Sequence, residues 1–260
     1  MPVTGHSRVE GSGGVAFPLD ASLDTPGTPA SGTGQISLLT GRNAAHLFGR
    51  HFGPWPPVRL RPLLAQENLL VQARERGKAT IFANAYPRGY LERAPSRTVA
   101  APPVAAHAAG LLHRHGEALS QGTAVASEIV NSGWRRRLGR SDLPEVTPRE
   151  AGGNLSRLAN QGELTLFAHY ATDLAGHRGG REGAVAALER VDDFLAGVLE
   201  ELDPGHLLML GSDHGNIEEL GTGHTRNPAL GLCVGPGGLA LSRSITSITQ
   251  VAPALLRILG

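Results

Sequence analysis

The chain has 260 residues, 40% of them hydrophobic, enough to bury the core of one large domain or of a core with a modest insertion, so wholesale disorder is excluded. Lys and Arg number 24 against 23 Asp and Glu, a formal charge of +1 at pH 7 that gives no electrostatic basis for a nucleic-acid or anionic-membrane surface. The single cysteine, Cys233, excludes an internal disulfide and fits a reducing compartment. No apolar run approaches the roughly 18 residues of a membrane span. The N-terminal residues lack the apolar stretch of a secretory signal, so a soluble, cytoplasmic protein is expected.

Residues 1–14 are rich in Gly and Ser, without periodicity, and are expected to be poorly ordered. Pro-, Gly- and Thr-rich loop sequence over 18–34 opens into an apolar stretch at 36–39. Leu63, Leu64, Leu69, Leu70 and Ala73 predict a helix over 62–76, with Gly77 placed to stop it. The run TIFANA at 80–85 reads as a buried parallel strand. The stretch 87–162 changes character, with Pro102-Pro103, Ala-rich pieces, Trp134 and consecutive Arg135, Arg136 and Arg137. It reads as an inserted cap between core portions 1–86 and 163–260. Beyond it, a strand is expected over 164–168. Leu188, Val191, Leu195, Val198 and Leu202 predict an amphipathic helix over 183–202. Strands over 206–211 and 229–234 and a closing helix over 248–259 complete the pattern. Strands alternating with helices, polar residues following the strands, imply an α/β fold with a mostly parallel sheet.

Three polar groups follow predicted strands, at the edge where open α/β folds place ligands. Asp173 and His177 lie four residues apart, Asp213 and His214 are adjacent, and His224 stands in G-T-G-H-T-R-N-P. Each pair alone reads equally as an ion pair at a loop end; three at successive strand ends point to metal. Hard carboxylates with imidazoles and no thiolate suit Zn²⁺ or Mn²⁺. Two such ions a few Å apart suit phosphoryl transfer. A nucleophile is expected at the same edge, and the segment PASGTGQ at 29–35 ends in an expected helix N-terminus, where a phosphate is favoured. A Ser or Thr hydroxyl there, Ser31 or Thr33, is the candidate. No G-K-[ST] follows, so this is not a Walker A loop.

These motifs resemble the alkaline phosphatase superfamily, in the branch of cofactor-independent phosphoglycerate mutase and phosphopentomutase. The nucleophile pattern S-x-x-G-[HQ] ending in Gly-Arg matches Ser31 to Arg42, D-x-x-G-H-x-G is similar to 173–179, D-H-G-N matches 213–216, and H-T-x-N-P matches 224–228. The resemblance implies one metal on Asp173, His177 and His224 and a second on Asp213, His214 and the Ser31 oxygen. It also implies Ser31 rather than Thr33 as nucleophile, a three-layer, mostly parallel sheet flanked by helices, and a cap at 87–162. Two features depart from the family. An apolar first strand ending in Asp-Gly, whose Asp would complete the second site, is not seen; Asp20 and Asp24 lie too close to the nucleophile loop. That suggests a chain shortened at its N-terminus. The insertion is short, and the only lysine, Lys78, lies beside a core strand.

The expectation is a two-metal phosphatase or phosphomutase acting on a small phosphorylated metabolite through a phosphoserine. Arg42, Arg135, Arg136 and Arg137 are candidate substrate anchors, the alternative for the Arg run being a solvated face. The rival function is a degenerate, non-catalytic metal-binding relative of the same fold. The sulfatase pattern C/S-x-P-x-R is absent, and Cys233 is in the wrong place for it.

Overall fold

The computed structural model describes residues 8–11, 13–93 and 98–260. Most of the 1–14 stretch expected to be poorly ordered, residues 1–7 and 12, lies outside the described residues. The architecture is mixed α/β. Strands β1 (Val9–Gly11), β2 (Gly14–Leu19), β6 (Ala229–Val234) and β5 (Leu208–Gly211) form one sheet in the order β1-β2-β6-β5, antiparallel throughout. Strands β3 (Thr80–Phe82) and β4 (Leu164–Leu166) form a separate parallel pair. The expected mostly parallel sheet is not what is seen: among the strands of the described residues, only β3 and β4 pair in parallel.

Strand β2 is also a correction, because the sequence suggested no apolar strand before the nucleophile loop. Val15, Phe17 and Leu19 alternate into the core while the residues between them face partly outward, the period-2 signature of a strand with one buried face. Pro18 and the flanking Gly-rich segments obscured that signal, since Pro within a run argues against a strand. The strand ends at Asp20, but that carboxylate caps the turn, accepting from the Ser22 amide at 2.9 Å and the Leu23 amide at 3.2 Å. It is not a carboxylate at the end of a parallel strand.

The helix expected over 62–76 is two helices, Arg61–Glu67 and Leu69–Glu75. The break is chemical: fully buried Asn68 is extended, and its side-chain oxygen accepts from the Leu70 and Val71 amides. Its Nδ2 donates back to the Leu64 carbonyl at 2.8 Å, so no polar atom of this buried side chain is stranded. The helix Gly180–Glu201 packs its Phe194 and Val198 against Leu155 and Leu158 of helix Pro148–Ala159. Their backbones meet closely: a methyl at Gly152 would lie 2.2 Å from the Phe194 carbonyl oxygen, and one at Gly197 would lie 2.1 Å from that of Arg149.

Over much of its length the segment 87–162 packs into clusters shared with the rest of the chain. Ala101 and Ala105 share a cluster with Ile36, Leu39, Leu60 and Leu64. Leu155 and Leu158 share another with Phe194 and Val198. Trp134, Leu119, Ala124, Ala126 and Leu143, with Ala85, form the one cluster lying almost wholly within the segment. The Ala-rich, low-volume sequence at 101–105 packs against the helices that carry Ile36, Leu39 and Leu64.

Strand β4 pairs only with β3, and β5 only with β6, so among the described residues no ladder joins the two sheets. The chain beyond β4 is tied to its surroundings by Phe167, which packs against Phe194, and by polar bonds. Asn84 bonds the Ala168 backbone through both side-chain atoms, at 2.7 and 2.8 Å, and His169 Nδ1 donates to the Ser127 carbonyl at 2.8 Å. The other ring nitrogen of His169 is buried without a partner, and burial pushes its pKa down to about 4. The unfolded chain takes up this proton near pH 6.5 and the folded one does not, so stability is full above 6.5 and falls as pH drops toward 4. The loss is on the order of 3 kcal/mol. His169→Asn, which keeps a donor for Ser127, is expected to lose this component. Chemical denaturation of both proteins at pH 7.5 and 4.5 checks it: an equal acid-induced loss in wild type and variant would contradict a neutral buried imidazole.

Candidate functional site

The chain leaves β4 into a short extended stretch and then the helix Ala171–Arg178, which sets Asp173 and His177 four residues apart on one face. Strand β5 ends at Gly211 and leads at once into Asp213 and His214. The returning loop carries His224 before the chain re-enters the sheet at Ala229. Ser31 opens the ten-residue helix Ser31–Thr40. Two glycines let that helix reach its place. A methyl at Gly34 would lie 2.8 Å from the Asp213 carbonyl oxygen, and one at Gly32 would lie 2.2 Å from that of Trp55. The S-G-T-G sequence is thus a close-approach pattern, with both of its glycines set against neighbouring backbone.

The structure brings six sequence-derived residues together. Asp173 Oδ1 lies 3.4 Å from His224 Nε2, 3.5 Å from His177 Nε2 and 4.0 Å from His214 Nε2. The Nε2 atoms of His177 and His224 face each other at 2.9 Å, and the His214 and His224 rings stack at 3.8 Å between centroids. Asp213 Oδ2 is 3.7 Å from His214 Nε2, which is 2.8 Å from Ser31 Oγ. Hydrogen-bond partners fix two tautomers. His224 Nδ1 donates to the Pro29 carbonyl at 2.9 Å and His214 Nδ1 to that of Gly215 at 3.3 Å, so each ring turns its Nε2 inward.

The charges are matched to this geometry. Burial alone would raise the Asp173 carboxyl, but the hydrogen bond with His224 and the charges of His214, His224 and His177 hold it below the usual carboxylate range. The same bond to Asp173 raises His224, against the effect of burial. Burial pushes Asp213 up, only partly offset by the attraction of His214, and its Oδ2 is buried with no hydrogen-bond partner. An unpartnered buried carboxylate oxygen beside inward imidazole nitrogens is a donor set for a divalent cation. Asp173, His177 and His224 form one three-ligand group, their donor atoms all within 4.8 Å of one another. Asp213, His214 and the Ser31 hydroxyl form an adjoining set with two ligating side chains. No further carboxylate among the described residues joins either cluster.

Other sequence candidates are placed elsewhere. Thr33 is fully buried, and its hydroxyl is engaged with the backbone, donating to Ala30 at 3.2 Å and accepting from Phe52 at 3.2 Å. Arg42 follows the C-terminal end of the Ser31 helix, about 15 Å along its axis, and pairs with Glu67 at 3.5 Å. Arg135 holds the Ser141 carbonyl at 2.9 Å, bonds that of Leu143 and pairs with Glu145 at 3.2 Å. Arg137 pairs with Glu128 at 3.3 Å, while Arg136 is exposed. Arg135 and Arg137 thus tie together the 128–145 loop.

Two residues that sequence reasoning left without a role sit next to the cluster. Asn216 Nδ2 donates to Asp173 Oδ1 at 2.6 Å, and Glu218 accepts the Asn216 amide at 2.7 Å. Asn216 was visible as the last residue of D-H-G-N; Glu218 carried no signal until the loop was folded. Asp213→Asn removes the buried, unpartnered carboxylate, so it is expected to raise the melting temperature of the metal-free protein while abolishing the stabilisation that Mn²⁺ gives at this site. Calorimetric scans with and without Mn²⁺ check both halves; a metal-free variant less stable than wild type would contradict the assigned electrostatics.

Residues 149–260 match the family model of the Metalloenzyme superfamily. Similar proteins are the 2,3-bisphosphoglycerate-independent phosphoglycerate mutases of Legionella pneumophila (34% identical over 128 residues, 45% of this chain and 25% of that one), Desulforudis audaxviator (30% over 125 residues, 45% and 25%) and Halobacterium salinarum (35% over 116 residues, 41% and 23%). The chain thus spans about a quarter of the length of the curated relatives it matches. A solved protein from Pyrococcus horikoshii superposes with a TM-score of 0.46 at 15% identity, over 72% of this chain and 44% of that one. The motifs, the residue cluster and these matches agree: over its C-terminal part the chain resembles an alkaline phosphatase-superfamily metalloenzyme of the cofactor-independent phosphoglycerate mutase kind.

Proposed function

We propose that this chain is a two-metal phosphoryl-transfer enzyme, a phosphatase or phosphomutase that moves a phosphoryl group of a small phosphorylated metabolite through a phosphoserine on Ser31. The observation that carries this is the Ser31 hydroxyl, 2.8 Å from His214 Nε2, at the edge of the Asp173–His177–His224 cluster. Asp173, His177 and His224 would hold one divalent ion, Mn²⁺ or Zn²⁺, and Asp213 and His214 a second. Such ions supply charge neutralisation of the phosphate and of the attacking and departing oxygens.

The chain's own groups supply the rest. With Nδ1 occupied by the Gly215 carbonyl, His214 Nε2 is the ring's one free donor atom for the second ion, and it sets Ser31 Oγ beside that donor set at 2.8 Å; the Ser31 hydroxyl proton leaves to solvent. The positive end of the Ser31–Thr40 helix favours an anion at that hydroxyl. Ser31 Oγ then bonds to phosphorus as the bond to the substrate oxygen breaks, and the departing alkoxide takes a proton from solvent. Water as the second acceptor gives a phosphatase; a substrate hydroxyl gives a mutase. Asn216 orients Asp173 throughout by its bond to Oδ1. One observation favours a second reading, a degenerate metal-binding relative: the Asp213–His214 set has only two ligating side chains among the described residues.

Ser31→Ala is expected to abolish phosphoenzyme formation and lower kcat/KM by at least ~10³-fold while leaving the fold intact. Labelling with a ³²P-phosphoester and mapping the modified residue checks it; label retained on Thr33 would overturn the assignment. Titration with Mn²⁺ is expected to show a tighter site that His177→Ala removes and a weaker one that His214→Ala removes. A metal-supplemented screen of phosphorylated metabolites separates the readings, since bound metal without turnover of any phosphoester would establish the non-catalytic one.

A further inference from the structure

We propose that Glu218 is a positioning residue that clamps the two metal-binding loops together and thereby sets the distance between the Asp173 and His224 ligands; this rests on the metal reading above. The Glu218 carboxylate bonds both loops at once. Its Oε2 accepts the Asn216 amide at 2.7 Å, while Oε1 accepts the Thr225 hydroxyl and, at 3.2 Å, the Asn227 side-chain amide. Two of these partners lead to a ligand in one step. Asn216 donates to Asp173 Oδ1 at 2.6 Å, and Thr225 is bonded covalently to His224.

The two loops also touch through an isolated antiparallel bridge between Gly215 and Thr225, where the Thr225 amide donates to the Gly215 carbonyl at 3.0 Å. Gly215 is required for that approach: a methyl there would lie 2.4 Å from Thr225 Oγ1 and 2.5 Å from Glu218 Oε1. Between the anchored ends, residues 218–222 are exposed, so the clamp, not core packing, holds the His224 loop in register. A carboxylate suits the task because two oxygens with several lone-pair sites accept from a backbone amide, a hydroxyl and a side-chain amide at once. Outer partners of this kind fix ligand orientation and typically change metal affinity tenfold to hundredfold when removed.

Calorimetric titration of the full chain with Mn²⁺ tests this. Glu218→Ala is expected to weaken binding at the Asp173–His177–His224 site about tenfold to hundredfold. Glu218→Gln, whose amide nitrogen cannot accept, breaks at least one arm and is expected to fall between that variant and wild type. The exposed neighbour, as Glu219→Ala, is expected to bind as wild type does. Hydrogen exchange on the metal-free proteins supplies a second readout: Glu218→Ala is expected to speed exchange at 214–217 and 223–227 and to leave the Gly180–Glu201 helix unchanged. Wild-type Mn²⁺ affinity in Glu218→Ala, with only a lowered melting temperature, would make the residue merely structural and overturn the clamp. If that variant does not fold, Thr225→Val, which deletes one arm, carries the same comparison. A wild-type chain that binds no Mn²⁺ would sink the metal reading instead, and unchanged exchange in Glu218→Ala would sink the clamp on its own.

Discussion

A single carboxylate oxygen, Asp173 Oδ1, lies within 4.0 Å of three imidazole nitrogens delivered by separate stretches of chain. That convergence is the constraint to which the rest of the structure answers. The ionised carboxylate favours positive charge on the imidazoles beside it, and carbonyl acceptors at Pro29 and Gly215 turn the Nε2 atoms of His224 and His214 inward. Without those outer hydrogen bonds the rings would be free to rotate and the donor set would not be pre-organised.

Holding the carboxylate and imidazoles in place requires close contact of backbones around them. The Ser31 helix approaches Asp213 at a glycine, the helices 148–159 and 180–201 cross at glycines, and the Gly215–Thr225 bridge is tight enough to exclude any side chain at 215. The same principle explains the buried polar groups. Asn68 and Asn84 satisfy backbone atoms where helices break or strands end, and they fix the elements that lead toward the cluster. Asp213 Oδ2 is a different case, buried beside the cluster without a partner. An uncompensated carboxylate oxygen destabilises a fold unless a cation neutralises it, so a bound cation at this position would stabilise the fold.

The site's chemistry was legible in the order of residues. The Asp173–His177 spacing, the Asp213–His214 pair and His224 each follow or precede a short apolar strand, and spacing along one helix face is a local property that sequence states directly. The helix at 180–201 and strand β6 were equally visible, since their apolar periodicity is unbroken. Strand β2 was not, because Pro18 interrupts an alternation that only its pairing with β6 completes. Strand direction was not legible either: an apolar run reads the same whether its neighbour runs parallel or antiparallel, and direction is set by where the connecting segments return.

The arginines show the remaining boundary. A run of three consecutive Arg is identical in sequence whether it grips a ligand or secures a loop, and only tertiary structure puts Glu145 and Glu128 within reach of Arg135 and Arg137. Likewise Ser31 and Thr33 are two hydroxyls in one short motif. The helix geometry turns one toward His214 and the other into the Ala30 and Phe52 backbone. By itself, then, the sequence determined which residue types were available for metal and phosphoryl chemistry and roughly where along the chain they fall, because motif spacing is covalent. Which hydroxyl faces the cluster, which cations are already paired, and how Glu218 spans two loops were decided by the tertiary structure, because each depends on contacts between segments far apart in the chain.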